Sequence, residues 1–299
     1  MKLTIKDYLG TLRVSFLLLN LSCVALGAGC AFWRKGAVSW IDALLALVGA
    51  VCAHASVNSL NEYSDFLTGV DSRTNRTPFS GGSGTLQRHP EMAGYALGIG
   101  LTCAAITAAI GIYFIVARGW EILPLGVLGL VAVALYTPWL TRRPFLCLLA
   151  PGLGFGTCMV MGTDVVLGGD YSMAGFAASM VPFFLVSNLL LLNQFPDVEA
   201  DRAGGRKNFL IVHGIRAGAV VYTLFLTATY LSVIVAVAAR ILPPLTLLAL
   251  LTVPLAARAS IGALRDGNDI IRLKPALGIN VLINLLIPLL LAAGLAFGD

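Results

Sequence analysis

The chain has 299 residues, of which 58% are hydrophobic and 12% charged, with a formal net charge of +5 and a mean hydropathy of +0.87. A soluble domain carries about 25% charged residues, so half the usual polar surface is missing and a water-soluble globule is excluded. The basic excess, which in another context would point to an anionic partner such as nucleic acid, is accounted for below by topology.

Apolar stretches of about 20 residues, enough to cross a bilayer, recur along the whole chain. In hydrocarbon every backbone polar group must be satisfied internally, which leaves helix bundles or closed barrels. The stretches are continuous and rich in Leu, Ala and Gly, without the alternation of barrel strands. The expected fold is therefore all-α and polytopic, a single transmembrane domain over residues 1–299.

In chain order, residues before the first span read as an amphipathic cytosolic lead-in, and no cleavable signal peptide is evident. Nine spans follow, at about 14–33, 38–58, 92–116, 121–140, 144–166, 173–193, 216–238, 241–260 and 275–297. Pro144, Pro243, Pro244 and Pro275 fall at or near span starts, where proline is tolerated. With a cytoplasmic N-terminus, sixteen of the 20 basic residues fall on the cytosolic side. Only Arg34, Lys35, Arg118 and Arg240 lie opposite, which is a positive-inside pattern. The expected setting is a multi-pass protein of the lipid bilayer, the cytoplasmic membrane in a prokaryote. The six cysteines all lie in apolar stretches without metal-ligand spacing, and read as small buried hydrophobes.

Two loops exceed the usual length for mere connections, residues 59–91 and 194–215, both cytosolic by this topology. The first belongs to NSLNEYSDFLTGVDSRTNRTPFSGGSG, beginning at Asn58. Asn58, Asn61 and Asp65 share one helical face if the second span extends by two turns. Glu62 stands beside that face, and Asp71 follows the turn allowed by Gly69. The second is NQFPDVEADRAGGRKN, beginning at Asn193. Asn193, Asp197 and Asp201 again share a face, with Pro196 expected to bend the helix. Both segments contain N-x3-D, and both pass into basic residues: Arg73 and Arg76 in the first, Arg202, Arg206 and Lys207 in the second. This pseudo-repeat is expected to set the clusters face to face.

Carboxylate and amide oxygens gathered at a membrane boundary suit magnesium, which binds through one or two carboxylates together with substrate phosphates. Flanking Arg and Lys would neutralise the remaining phosphate charge. A diphosphate so held becomes a better leaving group, and an allylic chain on it would yield a carbocation for an electron-rich acceptor. A divalent-cation transporter is the rival from another class, although transport sites favour the bilayer midplane, whereas these carboxylates collect at one face.

NEYSDFLTGVD and NQFPDVEADRAGGRK resemble the two aspartate-rich signatures of the UbiA superfamily of intramembrane prenyltransferases, over essentially the whole chain. That resemblance implies a UbiA-type bundle of nine helices. The six-residue step from Asp65 to Asp71, and PGLGFGTCMVMGT at 151–163, look most like the dihydroxynaphthoate, or menaquinone-type, branch. It implies Asn61, Asp65, Asp71, Asp197 and Asp201 as the magnesium and diphosphate set, with Asn58 and Asn193 in the same site. Arg76 and Lys207 would meet phosphate, with Arg206 as the alternative to Lys207. Glu62 replaces an aspartate common in the family. Cys147 and Leu148 stand where menaquinone-type relatives often place a glutamate.

Remaining candidates are divided between site and structure. Arg13 would hold an acceptor carboxylate or snorkel to the headgroups. Tyr136, with Arg142 and Arg143 beyond it, would line the site or mark the interface. His54, one turn from Asn58, would reach the acceptor or be a satisfied buried histidine. Asp42 and Asp164 are expected as solvated ends on the far side. The function implied is transfer of a polyprenyl group from its diphosphate to an aromatic acceptor, 1,4-dihydroxy-2-naphthoate in menaquinone synthesis. The site would face the cytoplasm. Other acceptors of the same reaction are 4-hydroxybenzoate, a glyceryl phosphate lipid or a tetrapyrrole.

Overall fold

The computed structural model describes residues 3–70, 76, 77 and 79–298, and among them there are helices and loops but no strands. In chain order the helices are α1 (Ile5–Gly10), α2 (Val14–Lys35), α3 (Trp40–Thr68), α4 (Thr85–Arg88), α5 (Ala93–Arg118) and α6 (Leu123–Leu135). They continue with α7 (Pro144–Gly168), α8 (Met173–Asn193), α9 (Val198–Ala203), α10 (Phe209–Ala238), α11 (Pro244–Asp266) and α12 (Ile270–Phe297). The middle of α7, Leu153–Met161, is π-helical.

Eight of these helices are long and apolar enough to cross a membrane: α2, α3, α5, α7, α8, α10, α11 and α12. The expected span over 121–140 is shorter. Its apolar helix, Trp120–Leu135, is about 24 Å long at 1.5 Å per residue, against about 30 Å of hydrocarbon. Pro138 is the cause, since it disfavours helix in the residue before it and the chain turns from Tyr136 to Arg143. Helix α10 begins at Phe209, where Asn208 caps it by accepting from the Ile211 amide at 3.0 Å. Gly214, at φ 85°, breaks it, so its uninterrupted length starts at Ile215, beside the expected 216.

Helix α3 carries the first acidic segment out of the membrane. Its 29 residues make about 43 Å, so it outlasts the hydrocarbon by two turns, as the Asn58–Asp65 spacing requires. Gly69, left-handed at φ 70°, stops it. Helix α8 is the most buried span and packs against α7, α10 and α12. A polar belt ties it there: Asn188 donates to the Tyr222 carbonyl at 2.7 Å, the Tyr222 hydroxyl to Asn280 at 3.2 Å, and the Asn280 amide to the Asn188 carbonyl at 3.4 Å. Such bonds join helices where lipid supplies no hydrophobic drive between them.

The far boundary departs from expectation. Asp42 and Asp164 are not solvated; each is almost wholly buried. Asp42 pairs with Arg118, and Asp164 with Arg34 at 3.1 Å. An isolated buried charge is too costly to keep, so each aspartate recruits one of the few far-side arginines. These pairs pin α3 to α5 and α2 to α7 on that side.

Candidate active site

Helices α3, α5, α6 and α7 stand apart enough to enclose a cavity of about 530 Å³. One end is lined by Asn58, Asn61, Asp65, Asn193, Asp197 and Asp201, so the two acidic segments do meet. From there it runs along apolar walls to Ile115, Ile122, Leu125 and Val166 near the opposite boundary. One end offers oxygens and charge. The rest is hydrocarbon.

Asp65 and Asp201 face each other across Arg206, which pairs with Asp65 and donates Nη1 to Asp201 Oδ1 at 2.7 Å. Asn208 completes Asp201 by donating to Oδ2 at 2.8 Å. Asn61 donates to Thr137 at 3.3 Å and Asn58 to the Leu12 carbonyl at 3.0 Å. Asn193, Asp197 and Asp201 do not lie on one helix. The chain turns after Asn193 through Pro196, and Asp197 occupies the N-terminal cap position of the new helix α9. Asp197 Oδ2 accepts from the Gly81 amide at 3.1 Å. Its Oδ1, and Asn193 Oδ1, are buried without a hydrogen-bond partner.

Burial, and then the neighbouring charge of Asp201, push the Asp197 carboxyl up to about 7. Burial also raises Asp201, with Arg206 opposing the shift. Both follow the general rule that low dielectric and like charge disfavour ionisation. Among the described residues, no three His, Cys, Asp or Glu side chains form a ready-made metal cage. The site nevertheless fits a hard cation: its donors are all oxygens, two of them are orphaned, and a positive group already bridges Asp65 and Asp201.

Other expected residues are distributed differently. Asp71 and Arg73 lie outside the described residues. Arg76 is exposed and outside the cavity wall, donating to the Gly81 carbonyl at 3.3 Å and to Gln87 at 2.8 Å. Lys207 is exposed and outside the wall, whereas its neighbour Arg206 lines it. Tyr136 lines the cavity beside Thr141. Arg13 lines it too, but its Nε donates to Glu62 at 2.8 Å. Glu62 is fully buried and also accepts from the Ser83 amide and hydroxyl, each at 2.8 Å. It is thus a clasp between the start of α2, α3 and Ser83, beside the face of α3 that lines the cavity.

The glycine loop was the part missed. Gly81, Gly82 and Gly84 adopt φ of 84°, 70° and 71°, conformations that side-chain-bearing residues avoid. They bring the Gly81 amide onto Asp197. The run S-G-G-S-G was the available signal. Thr137 and Asn208, which anchor Asn61 and Asp201, had none.

The UbiA prenyltransferase family model matches residues 20–297. A 1,4-dihydroxy-2-naphthoate octaprenyltransferase of Mycobacterium tuberculosis is 28% identical over 92% of this chain and 92% of its own. One of Bacillus subtilis is 25% identical over 71% of this chain and 67% of its own. In fold, a UbiA homologue from Aeropyrum pernix superposes with a TM-score of 0.71 at 18% identity, covering 92% of this chain and 96% of that one. Another, from Archaeoglobus fulgidus and solved with GPP and Mg2+, superposes with a TM-score of 0.66 at 16% identity, covering 97% and 99%.

Proposed function

This chain belongs to the UbiA prenyltransferase family, and we propose that it transfers a polyprenyl group from a prenyl diphosphate to 1,4-dihydroxy-2-naphthoate. The observation that carries this reading is a single cavity joining an oxygen-rich, charged head to an apolar shaft. An isoprenoid tail suits the shaft, since each buried methylene contributes about 0.8 kcal/mol. The naphthoate rests on the names of the relatives and on the fifth-span segment at 151–163.

Asp65, Asp71, Asp197 and Asp201, with Asn61 and Asn193, would hold magnesium. Bound there, it supplies positive charge that makes diphosphate a better leaving group. Arg206 then turns from its carboxylates to the phosphate oxygens, which its planar fork meets in pairs. Arg76 and Lys207 add charge at the entrance. The 79–84 segment, held over Asp197 by Gly81 and over Glu62 by Ser83, excludes water from the allylic carbon as its C–O bond breaks. With water excluded, a ring carbon of the acceptor forms the new bond to the allylic carbon as diphosphate leaves. The ring regains aromaticity by losing the proton, or the carboxylate as CO2, from that carbon. Tyr136 and Arg13 stand at the edge where the acceptor enters. The positive-inside pattern turns this face to the cytoplasm, within one domain spanning the chain.

The test is product mass spectrometry with purified protein, magnesium, geranylgeranyl diphosphate and a panel of acceptors. The expected product is the C-prenylated dihydroxynaphthalene ring, with diphosphate released and the mass showing whether the ring lost a proton or CO2. Preferential turnover of 4-hydroxybenzoate or a glyceryl phosphate lipid would replace the acceptor while keeping the reaction. Metal flux into liposomes without any prenyl donor would favour the transporter instead.

A further inference from the structure

We infer that His54 is the hydrogen-bond donor that recognises a ring oxygen of the aromatic acceptor, its tautomer set by Asn20. The inference rests on the aromatic-acceptor reading above and assigns the deep end of that subsite.

Asn20 is fully buried on α2. Its amide nitrogen lies 2.7 Å from the Leu17 carbonyl and 3.2 Å from His54 Nδ1. A carbonyl only accepts, so the amide orientation is determined by Leu17, and the same nitrogen donates its second proton to His54. His54 Nδ1 is then an acceptor, which puts the ring proton on Nε2. His54 lines the cavity while Asn20 lies behind it, so the edge left for the cavity carries Nε2–H. That edge makes no hydrogen bond among the described residues. A donor turned into a largely apolar cavity wants an acceptor atom.

The surroundings favour a flat ring as the carrier of that atom. Phe155 meets His54 edge-on, with centroids 4.8 Å apart and planes at 85°. Phe155 also lines the cavity. It belongs to the π-helical turns of α7, a rare geometry often found at functional sites. Beside it, a Cβ added at Gly154 would meet nothing within 4 Å, so the wall is open next to the aromatic surface. Along α3, His54 stands about 10 Å from Asn61, which leaves room for the reacting carbon and a ring between the two.

The experiment compares wild type with His54→Leu, His54→Gln and Asn20→Leu. Steady-state rates are taken against 1,4-dihydroxy-2-naphthoate and against geranylgeranyl diphosphate. Naphthoate binding is measured separately by its fluorescence, in EDTA and without the diphosphate. His54→Leu should raise the naphthoate KM and Kd by roughly five- to tenfold, the worth of one hydrogen bond, with the donor KM within about twofold of wild type. His54→Gln keeps an N–H donor and should recover most of the loss. Asn20→Leu, which releases the tautomer, should fall between. An unchanged naphthoate KM and Kd in His54→Leu, an equal rise in the donor KM, or a glutamine variant no better than leucine would each overturn the inference. A wild-type protein that binds and prenylates no aromatic acceptor would instead remove the reading beneath it.

Discussion

Arg206 reaches across the mouth of the cavity to pair with Asp65, 141 positions earlier in the chain. The two aspartate-rich segments are therefore joined by one guanidinium, which also holds Asp201. Its position between the carboxylates makes it a tethered cation in the place where a divalent ion would neutralise them. On the function proposed above, opening the site for metal and diphosphate requires this side chain to change partners.

Arg206→Ala should accordingly be rescued by metal. Removing one member of a buried charge cluster costs about 3–5 kcal/mol, so its thermal midpoint in EDTA should fall well below wild type. Magnesium, binding only the folded state, should restore more of that loss in the variant than it adds to wild type. Equal magnesium shifts in both proteins would mean that Arg206 and the metal do not share carboxylates.

Asp65→Asn and Asp197→Asn each replace a proposed anionic metal ligand by a neutral group of the same size. Both should remain folded in the membrane and lose turnover by about 100-fold or more, since even disturbing the partners of metal ligands costs 10- to 100-fold. Near-wild-type rates at limiting magnesium in either variant would count against the shared site.

Magnesium affinity should depend on pH through Asp197. Its carboxyl is pushed up to about 7, so below that pH a proton must leave before metal binds, and above it none does. The dissociation constant at pH 6 should be roughly tenfold weaker than at pH 8, the worth of one displaced proton over that interval. Calorimetry in buffers of different ionisation heat would count the proton released. A flat profile would remove Asp197 from the ligand set.

Gly175→Ala should damage stability without touching the chemistry. A Cβ at Gly175 would stand 2.2 Å from Asp164 Oδ2, a carboxylate that already accepts from Ser172 at 2.6 Å and Arg34 at 3.1 Å. Overpacking of this kind costs about 1–3 kcal/mol. Thermal unfolding should record the loss, while the KM values for both substrates stay near wild type.

Topology is open to cysteine labelling on a cysteine-free background. Glu199 and Arg88 are suitable positions because both side chains are exposed, at 83% and 46%. Neither should react in intact cells with an impermeant reagent added from outside. Labelling at both would invert the orientation.

Some of this protein is local and therefore readable along the chain. Hydrocarbon length and backbone satisfaction dictate apolar helices of about 20 residues, and eight of the nine expected spans need only their boundaries moved. The exception has a local cause that weighs less than hydropathy in a linear reading: Pro138 cuts α6 short. Helical periodicity likewise puts Asn61 and Asp65 on one face of α3 without any knowledge of what that face meets.

Choices between chemically similar neighbours were made by tertiary structure alone. Glu62 and Asp65 are both acidic and one turn apart, yet Glu62 is claimed by Arg13 and Ser83 while Asp65 meets Arg206. Arg206 and Lys207 are adjacent cations, but Gly205, left-handed at φ 77°, and the Asn208 cap turn only the arginine inward. Asp42 and Asp164 look like solvated helix ends until Arg118 and Arg34 arrive from other helices. In each case the sign of the charge is a property of the residue. Its partner depends on which distant helix packs alongside, because a charge can remain in a low-dielectric interior only where an opposite charge or a set of donors meets it.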